Sequence, residues 1–164
     1  MIPPIASVVK AKLRAEGRFV LTLRGRCMEP LLFEGDRVRV EACEDPSVGD
    51  LCLVILPDSA LALHRVVSVS GGATACKGDY SGKAESLGAG CVIGRAVAFM
   101  PDGLGVWVRW SQGDAYRREI VSLSRVLSDR GAARDMRQEA RRRVWELNEG
   151  KRAELLAGMY PPVG

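Results

Sequence analysis

The chain has 164 residues, of which 47% are hydrophobic and 27% are charged, a balance typical of a soluble globular protein and not of a disordered one. This length suffices for one domain with a buried core and is too short for two full ones. The 24 lysines and arginines outnumber the 20 aspartates and glutamates only slightly, for a net charge of +4. So small an excess does not require a nucleic-acid partner, and we expect none.

The sequence predicts neither a membrane span nor a secretory signal. Its longest plain apolar run, residues 51–56, is stopped by Pro57 and falls far short of the roughly 20 residues that cross a bilayer. The first four residues lack the basic-then-apolar layout of a signal peptide. We therefore expect a cytoplasmic protein. Five cysteines without a CxxC spacing favour reduced thiols over a disulfide framework or a zinc site, and no metal or cofactor is predicted.

The first two thirds of the chain predict one helix followed by many short strands. Apolar residues at helical spacing predict a helix over 5–16, ended by Gly17. From Arg18 the period changes to two, which predicts a first strand that Gly25 breaks. Gly-Asp and Gly-Gly turns separate the other candidate strands, so we expect a mainly β (α+β) fold with a coiled antiparallel β-domain over 1–110. Those strands are 37–40, 51–56, 61–69, 73–77, 91–99 and 106–110.

The remainder, 111–164, is predicted to be a helical C-terminal extension. An apolar stripe at spacings of three and four runs from Ala133 to Leu147, and Gly150 is expected to break the helix before a last piece at 153–156. The favoured interpretation is a solvated helix face with ion pairs. Docking on a partner, a lipid surface or a nucleic acid is the alternative, and interspersed acidic residues weaken the last of these.

A bend between two strands contains the most informative cysteine. The first strand stops at Gly25, Pro30 follows, and a Gly35-Asp36 turn leads into the next strand. This layout places the side chain of Cys27 where the chain bends and not on a sheet face. Nucleophiles favour such positions because the reactive atom is accessible while backbone N–H groups converge on one oxyanion.

Several short motifs in order resemble the superfamily of type I signal peptidases and LexA-like self-cleaving repressors. The resemblance covers roughly residues 18 to 100, and the branch with a histidine base, found in archaeal and endoplasmic-reticulum signal peptidases, is the most similar. It implies a fold of the LexA/signal-peptidase type. The motifs are Gly25-Arg26-Cys27-Met28-Glu29-Pro30, Gly35-Asp36, Gly49-Asp50, His64-Arg65-Val66, Lys77-Gly78-Asp79 and Gly94-Arg95-Ala96-Val97.

The resemblance implies roles for particular residues. Cys27 takes the place of the usual nucleophilic serine, and His64, the sole histidine, takes the place of the general base. An imidazole beside the thiol is expected to form a thiolate–imidazolium pair. Asp79 or Glu85 is expected to orient the imidazole, and we favour Asp79 because it matches the motif.

The same resemblance implies how a substrate is held. Family members often place an oxyanion-binding hydroxyl two residues before the nucleophile, but Gly25 occupies that position here. The backbone N–H of Cys27 then carries more of this task, with Arg26 nearby. Gly25, Arg26 and Met28 are the expected substrate-binding residues, with Met28 packing beneath the site.

These observations predict a soluble cysteine peptidase that cleaves a precursor or leader peptide. The substrate is expected to bind as an extended peptide beside an edge strand, and the resemblance implies small residues near the cut. A peptide-modifying or export partner is expected to dock on the C-terminal helix. One alternative is a degenerate peptidase fold that binds peptides without cleaving them. A self-cleaving repressor is disfavoured, because about 17 residues before the first strand are too few for a helix-turn-helix domain.

Overall fold

The computed structural model describes residues 4–159 and contains three helices and eight strands in that range. Every strand pairing is antiparallel, and the sheet order is β1-β2-β7-β3-β4-β5-β6, with β8 pairing to β7. The predicted mainly β, α+β class is therefore confirmed. The elements are α1 (Ile5–Glu16), β1 (Arg18–Thr22), β2 (Arg37–Ala42), β3 (Leu51–Ile55), β4 (Leu61–Ser70), β5 (Ala73–Lys77), β6 (Ala84–Leu87), β7 (Val92–Met100), β8 (Val108–Arg109), α2 (Asp114–Ser128) and α3 (Arg134–Ala157).

The first helix and strand form as their periodicity predicts. Helix α1 buries Ala6, Val9 and Leu13, which lie on one face of a helix. Gly17 ends the helix with φ of 78°, a left-handed conformation that glycine adopts without steric cost, and its N–H donates to the carbonyl of Leu13. The chain reverses there and enters β1.

The main core lies on one face of the sheet. Alternation in β2 sends Val38 and Val40 into this core while Arg37 and Arg39 point outward. The bend after β1 adds Met28 and Leu31 from the same side. The opposite face of β3, β4 and β5 packs a second, smaller cluster made of Cys52, Val54, Val66, Cys76, Leu87 and Val92.

The extension from residue 111 packs against the sheet. Helices α2 and α3 share a cluster that includes Ile120 and Val144. The end of α3 reaches the main core through Leu155 and Leu156. Arg152 donates to Asp36 at 2.7 Å, next to the predicted turn that precedes β2. The C-terminal helices thus help to bury the core formed by the strands.

Three predicted boundaries were wrong. The short strand β6 was not predicted, since its four residues carry no clear alternation, and it pairs with β5 through Cys76 opposite Glu85. Gly150 does not break α3; a glycine inside a helix costs only about 1 kcal/mol, and buried Asn148 and Lys151 on either side anchor the helix. The seventh predicted strand, 106–110, shortens to Val108–Arg109. The predicted helical piece at 153–156 is the last part of α3.

None of the helices between residues 4 and 159 combines the length and apolar character that crossing a bilayer demands.

Candidate active site

Cys27 lies in the bend after β1 and faces the edge of β4. Its half-buried side chain packs against the main core, and its Sγ is 3.9 Å from the carbonyl oxygen of Leu63, the residue that precedes His64. Tyr80 donates its N–H to the Cys27 carbonyl at 2.9 Å. The bend and the Lys77-Gly78-Asp79 segment, which are some fifty residues apart in sequence, are therefore in direct contact.

Gly78 permits this contact because it has no side chain. A Cβ at this position would lie 2.8 Å from both the Cβ and the carbonyl oxygen of Cys27, closer than real Cβ contacts occur. The next residue, Asp79, donates its backbone N–H to the Sδ of buried Met28 at 3.4 Å. Met28 thus packs beneath the site, and its burial leaves almost no surface for direct contact with a substrate.

A buried lysine forms hydrogen bonds to the backbone of the same segment. Lys77 donates from Nζ to the carbonyls of Gly78 and Asp79, at 2.7 and 3.3 Å. Burial lowers the pKa of Lys77 to about 8, because a charged ammonium loses its hydration there. The sequence had singled out this lysine only as part of a motif.

Asp79 is held by Arg65 and not by His64. Arg65 donates from Nε and Nη2 to the two carboxylate oxygens, each at 2.8 Å, and both side chains are completely buried. Asn148 of α3 donates to the same carboxylate at 2.8 Å. Burial alone raises the pKa of Asp79, but the Arg65 charge and hydrogen bonds outweigh burial and hold it below its usual value.

Arg65 has a partner for each of its five N–H donors. Besides Asp79, it donates to the carbonyl of Gly49, to Gln112 Oε1 and to the hydroxyl of Tyr116. Tyr116 in turn donates to Asn148 Oδ1 at 2.6 Å. We call Arg65, Asp79, Gln112, Tyr116 and Asn148 the Arg65 network. It joins the sheet, the Asp79 segment and both C-terminal helices.

His64 lies on β4 opposite Cys52 of β3, so its side chain and that of Leu63 leave the strand on opposite faces. Its Nδ1 is buried and has no hydrogen-bond partner among residues 4–159. Burial lowers the pKa of His64, and the carboxylates of Glu85 and then Asp79 partly oppose this effect. The imidazole is therefore neutral at pH 7, the form that a general base requires.

The sequence predicts that a carboxylate orients His64, but the structure places the predicted carboxylate, Asp79, against other donors. The oxygens of Asp79 are engaged by Arg65 and Asn148, so our preference for Asp79 has no hydrogen bond to support it. Glu85 lies on β6 and forms an ion pair with Lys83 at 3.7 Å. Glu85 acts on the imidazole through its charge alone.

The expected thiolate–imidazolium pair is not formed in this conformation. The Cys27 thiol hydrogen-bonds to the Leu63 carbonyl, and burial raises the pKa of the thiol, with the negative charge of Asp79 adding to the rise. A thiol in these surroundings keeps its proton at pH 7. The sequence placed thiol and imidazole in the same region but did not reveal how strongly burial disfavours both charges.

The other expected substrate-binding residues lie at the surface. Gly25 is exposed and has φ of 81°, which explains why a residue with a side chain is disfavoured there. The exposed side chain of Arg26 forms an ion pair with Glu29 at 2.9 Å and lies over the ring of Tyr80. The Tyr80 ring meets Trp145 of α3 edge-on, at 6.2 Å between centroids.

One side of β4 is open next to Cys27. Pairing with β5 begins at Arg65, so within the described part of the chain residues 61–64 have a partner strand only on the β3 side. The backbone N–H and C=O of Val66 both form hydrogen bonds toward the β3 side. Along an antiparallel strand, successive residues direct these groups to alternate sides. The N–H and C=O groups of Leu61 and Leu63 therefore point to the open side, where the thiol of Cys27 meets the Leu63 carbonyl.

Comparison of the chain with protein-family models, with curated proteins and with solved structures finds no match. The case for a function therefore rests on the motifs and on the geometry around Cys27.

Proposed function

We propose that this protein is a peptidase in which Cys27 is the nucleophile and His64 the general base, acting on an extended segment of a precursor or leader peptide in the cytoplasm. The observation that carries the proposal is the position of the thiol, 3.9 Å from the Leu63 carbonyl on the open side of the strand that carries His64. A peptide laid along Leu61 and Leu63 pairs its backbone with theirs and brings a carbonyl carbon to the sulfur.

Substrate binding itself releases the nucleophile in this mechanism. A substrate N–H that donates to the Leu63 carbonyl replaces the thiol at that acceptor, and the side chain of Cys27 is then free to rotate toward the imidazole. Because thiol and imidazole are both neutral at rest, the proton moves to His64 as the sulfur attacks, and no preformed ion pair is needed. The backbone N–H of Cys27 is the available oxyanion donor, since Gly25 contributes no hydroxyl.

The remaining steps follow from acyl transfer chemistry. The sulfur–carbon bond forms while the carbonyl electron pair moves to oxygen. As this pair returns, the carbon–nitrogen bond breaks and the imidazolium of His64 donates its proton to the leaving amine. A water, deprotonated by His64, then attacks the thioester carbonyl. The carbon–sulfur bond breaks, the carboxylic acid product leaves, and the imidazolium returns its proton to the sulfur, which regenerates the thiol.

Binding without cleavage is the second candidate function. It is favoured by the unpartnered Nδ1 of His64 and by the engagement of Asp79 with Arg65, because an imidazole with no partner at Nδ1 lacks the carboxylate that fixes its tautomer in Ser-His-Asp enzymes. In this case the open side of β4 holds the peptide and the protonated thiol stays inactive.

One experiment separates the two functions. A peptide library made by digesting a proteome is incubated with the protein, and new termini are identified by mass spectrometry. We expect cleavage by the parent, and none by Cys27→Ala or His64→Gln. Cys91→Ala is the matched control, since Cys91 is also a half-buried free cysteine and has no assigned role. Cleavage that survives Cys27→Ala refutes the peptidase proposal. Peptide capture by the parent without new termini establishes the binding module instead.

Docking of a peptide-modifying or export partner on the C-terminal helices stays a proposal. The outward side of α3 carries ion pairs within the helix, from Arg142 to Glu139 and Glu146. This is the charged, solvated pattern that the sequence predicts for this face. A pull-down with a charge-reversed Arg142→Glu variant tests whether this face binds a partner.

A further inference from the structure

One face of the sheet, opposite the main core against which Cys27 packs, carries an unusual concentration of positive charge. In the register of β1, β2, β7 and β8, alternate residues point away from the main core. These outward residues include five arginines and a single acid, so this face holds as much net positive charge as the entire chain. We call it the arginine face, and its members are Arg18, Arg37, Arg39, Glu41, Arg95, Trp107 and Arg109.

Most of these arginines have no anionic partner within residues 4–159. Of the five, within the described residues, only Arg95 has a carboxylate oxygen within 4 Å, that of Asp50 at 3.7 Å, while Glu41 is the register partner of both Arg18 and Arg95. The guanidinium of Arg39 lies 4.4 Å from the ring centroid of Trp107, and that of Arg37 lies 5.9 Å from it. Stacking on an aromatic ring holds a guanidinium in place and leaves the N–H groups at its edge free to bind an anion in bidentate geometry.

The arginine face borders an unpaired strand edge. Strand β1 is the first in the sheet order, and its one partner among the strands of residues 4–159 is β2. The carbonyl of Gly17 accepts from the N–H of Ala42, and the N–H of Leu23 donates to the carbonyl of Asp36. The odd-numbered residues of β1 therefore direct their backbone hydrogen bonds toward β2. By alternation, the N–H and C=O groups of Arg18, Val20 and Thr22 point to the open edge, and the side chains of these same residues lie on the arginine face.

A groove runs along this edge. Its volume is about 430 Å³, and three of its lining residues are cations against one acid. An added strand here has room beside β1, and its outward side chains lie next to positive charge. The lining residues are Lys12, Glu16, Arg18, Phe19, Val20 and Arg39.

We propose that the edge of β1 and the arginine face together bind an extended acidic segment of a partner polypeptide as an added strand. Alternate residues of such a segment point to the same face and are about 7 Å apart, which is also the spacing of Arg37 and Arg39 along β2. Glutamate or aspartate at every second position then lies beside Arg18 of β1 and faces the groove that Arg39 also lines, while the main chain bonds to β1. A nucleic acid matches the charge but has no peptide main chain for the strand edge, so a polypeptide is favoured.

The test measures binding of labelled peptides by fluorescence anisotropy. The probe is a ten-residue peptide of alternating Glu and Val, compared with the alternating Gln and Val peptide and with single-stranded oligo-dT. We expect the Glu peptide to bind at least tenfold more tightly than the Gln peptide, with affinity that falls as salt rises. The double variant R18Q/R39Q, which removes the two arginines that line the groove, is expected to bind the Glu peptide at least tenfold more weakly. The matched control R130Q/R134Q, which removes two exposed arginines elsewhere, is expected to change affinity less than twofold.

A second pair of measurements tests the added strand itself. Val20→Pro removes an N–H from the open edge, where proline is tolerated in a strand. It is expected to weaken binding of the Glu peptide at least tenfold and to leave binding of oligo-dT unchanged. Should this variant misfold by circular dichroism, a peptide N-methylated at alternate residues replaces it, with the same expected loss. Tighter binding of oligo-dT than of the Glu peptide, or an equal loss of affinity in R18Q/R39Q and the control, overturns the proposal. Because Cys27 takes no part, the result is independent of peptidase activity.

Discussion

The Arg65 network makes a quantitative prediction about stability, tested by Asp79→Asn. Removing one member of a buried ion pair costs about 3–5 kcal/mol, because the other charge stays buried without compensation. Arg65 retains the carbonyl of Gly49, Gln112 and Tyr116 as acceptors, but no anion remains within its hydrogen-bonding reach. At about 2–4 °C per kcal/mol for a chain of this size, the expected fall in melting temperature is about 6–20 °C.

Urea denaturation followed by tryptophan fluorescence measures the loss of unfolding free energy. Glu139→Gln is the control, since it removes one acid of an exposed ion pair with Arg142 and is expected to cost at most about 1 kcal/mol. The pH dependence adds a second measurement. The pKa of Asp79 is lower folded than unfolded, so its contribution is present above pH 3.8 and is lost as pH falls through the lower folded value. Asp79→Asn lacks this acid-dependent loss. A variant within about 1 kcal/mol of the parent would refute the reasoning.

Three further predictions concern the site and the helices. The His64 imidazole, followed by NMR, is expected to titrate below pH 6.5 because burial disfavours its charge; stability then falls as pH drops from 6.5 through that lower value, and His64→Gln removes this dependence. Gly78→Ala is expected to destabilise the fold by about 1–3 kcal/mol through overlap with Cys27, and unchanged denaturation would contradict the close packing. A chain cut after residue 110 is expected to show no cooperative unfolding, since it loses three of the five members of the Arg65 network; a cooperative transition would show that the strands fold alone.

Local physics explains which parts of the fold the sequence predicts. The helix over 5–16 and its end at Gly17 follow from apolar spacing and a left-handed cap, both properties of adjacent residues. The strands after the Gly-Asp turns follow from period-two alternation. Strand β6 lacks such a pattern, so its pairing with β5 decides its conformation. Likewise Gly150 stays helical because residues on both sides of it pack against other elements.

The sequence by itself determined the antiparallel β-architecture and selected Cys27 and His64 as the pair to consider, because periodicity and motifs are written in neighbouring residues. Only the tertiary structure decided that Asp79 pairs with Arg65. The groups that donate to its carboxylate come from β4 and α3, and the sequence does not show that these two elements meet at Asp79. The tertiary structure also decided that thiol and imidazole are both neutral at rest. Charge states depend on burial and on partners brought from across the chain, and these exist only once the helices have packed on the sheet.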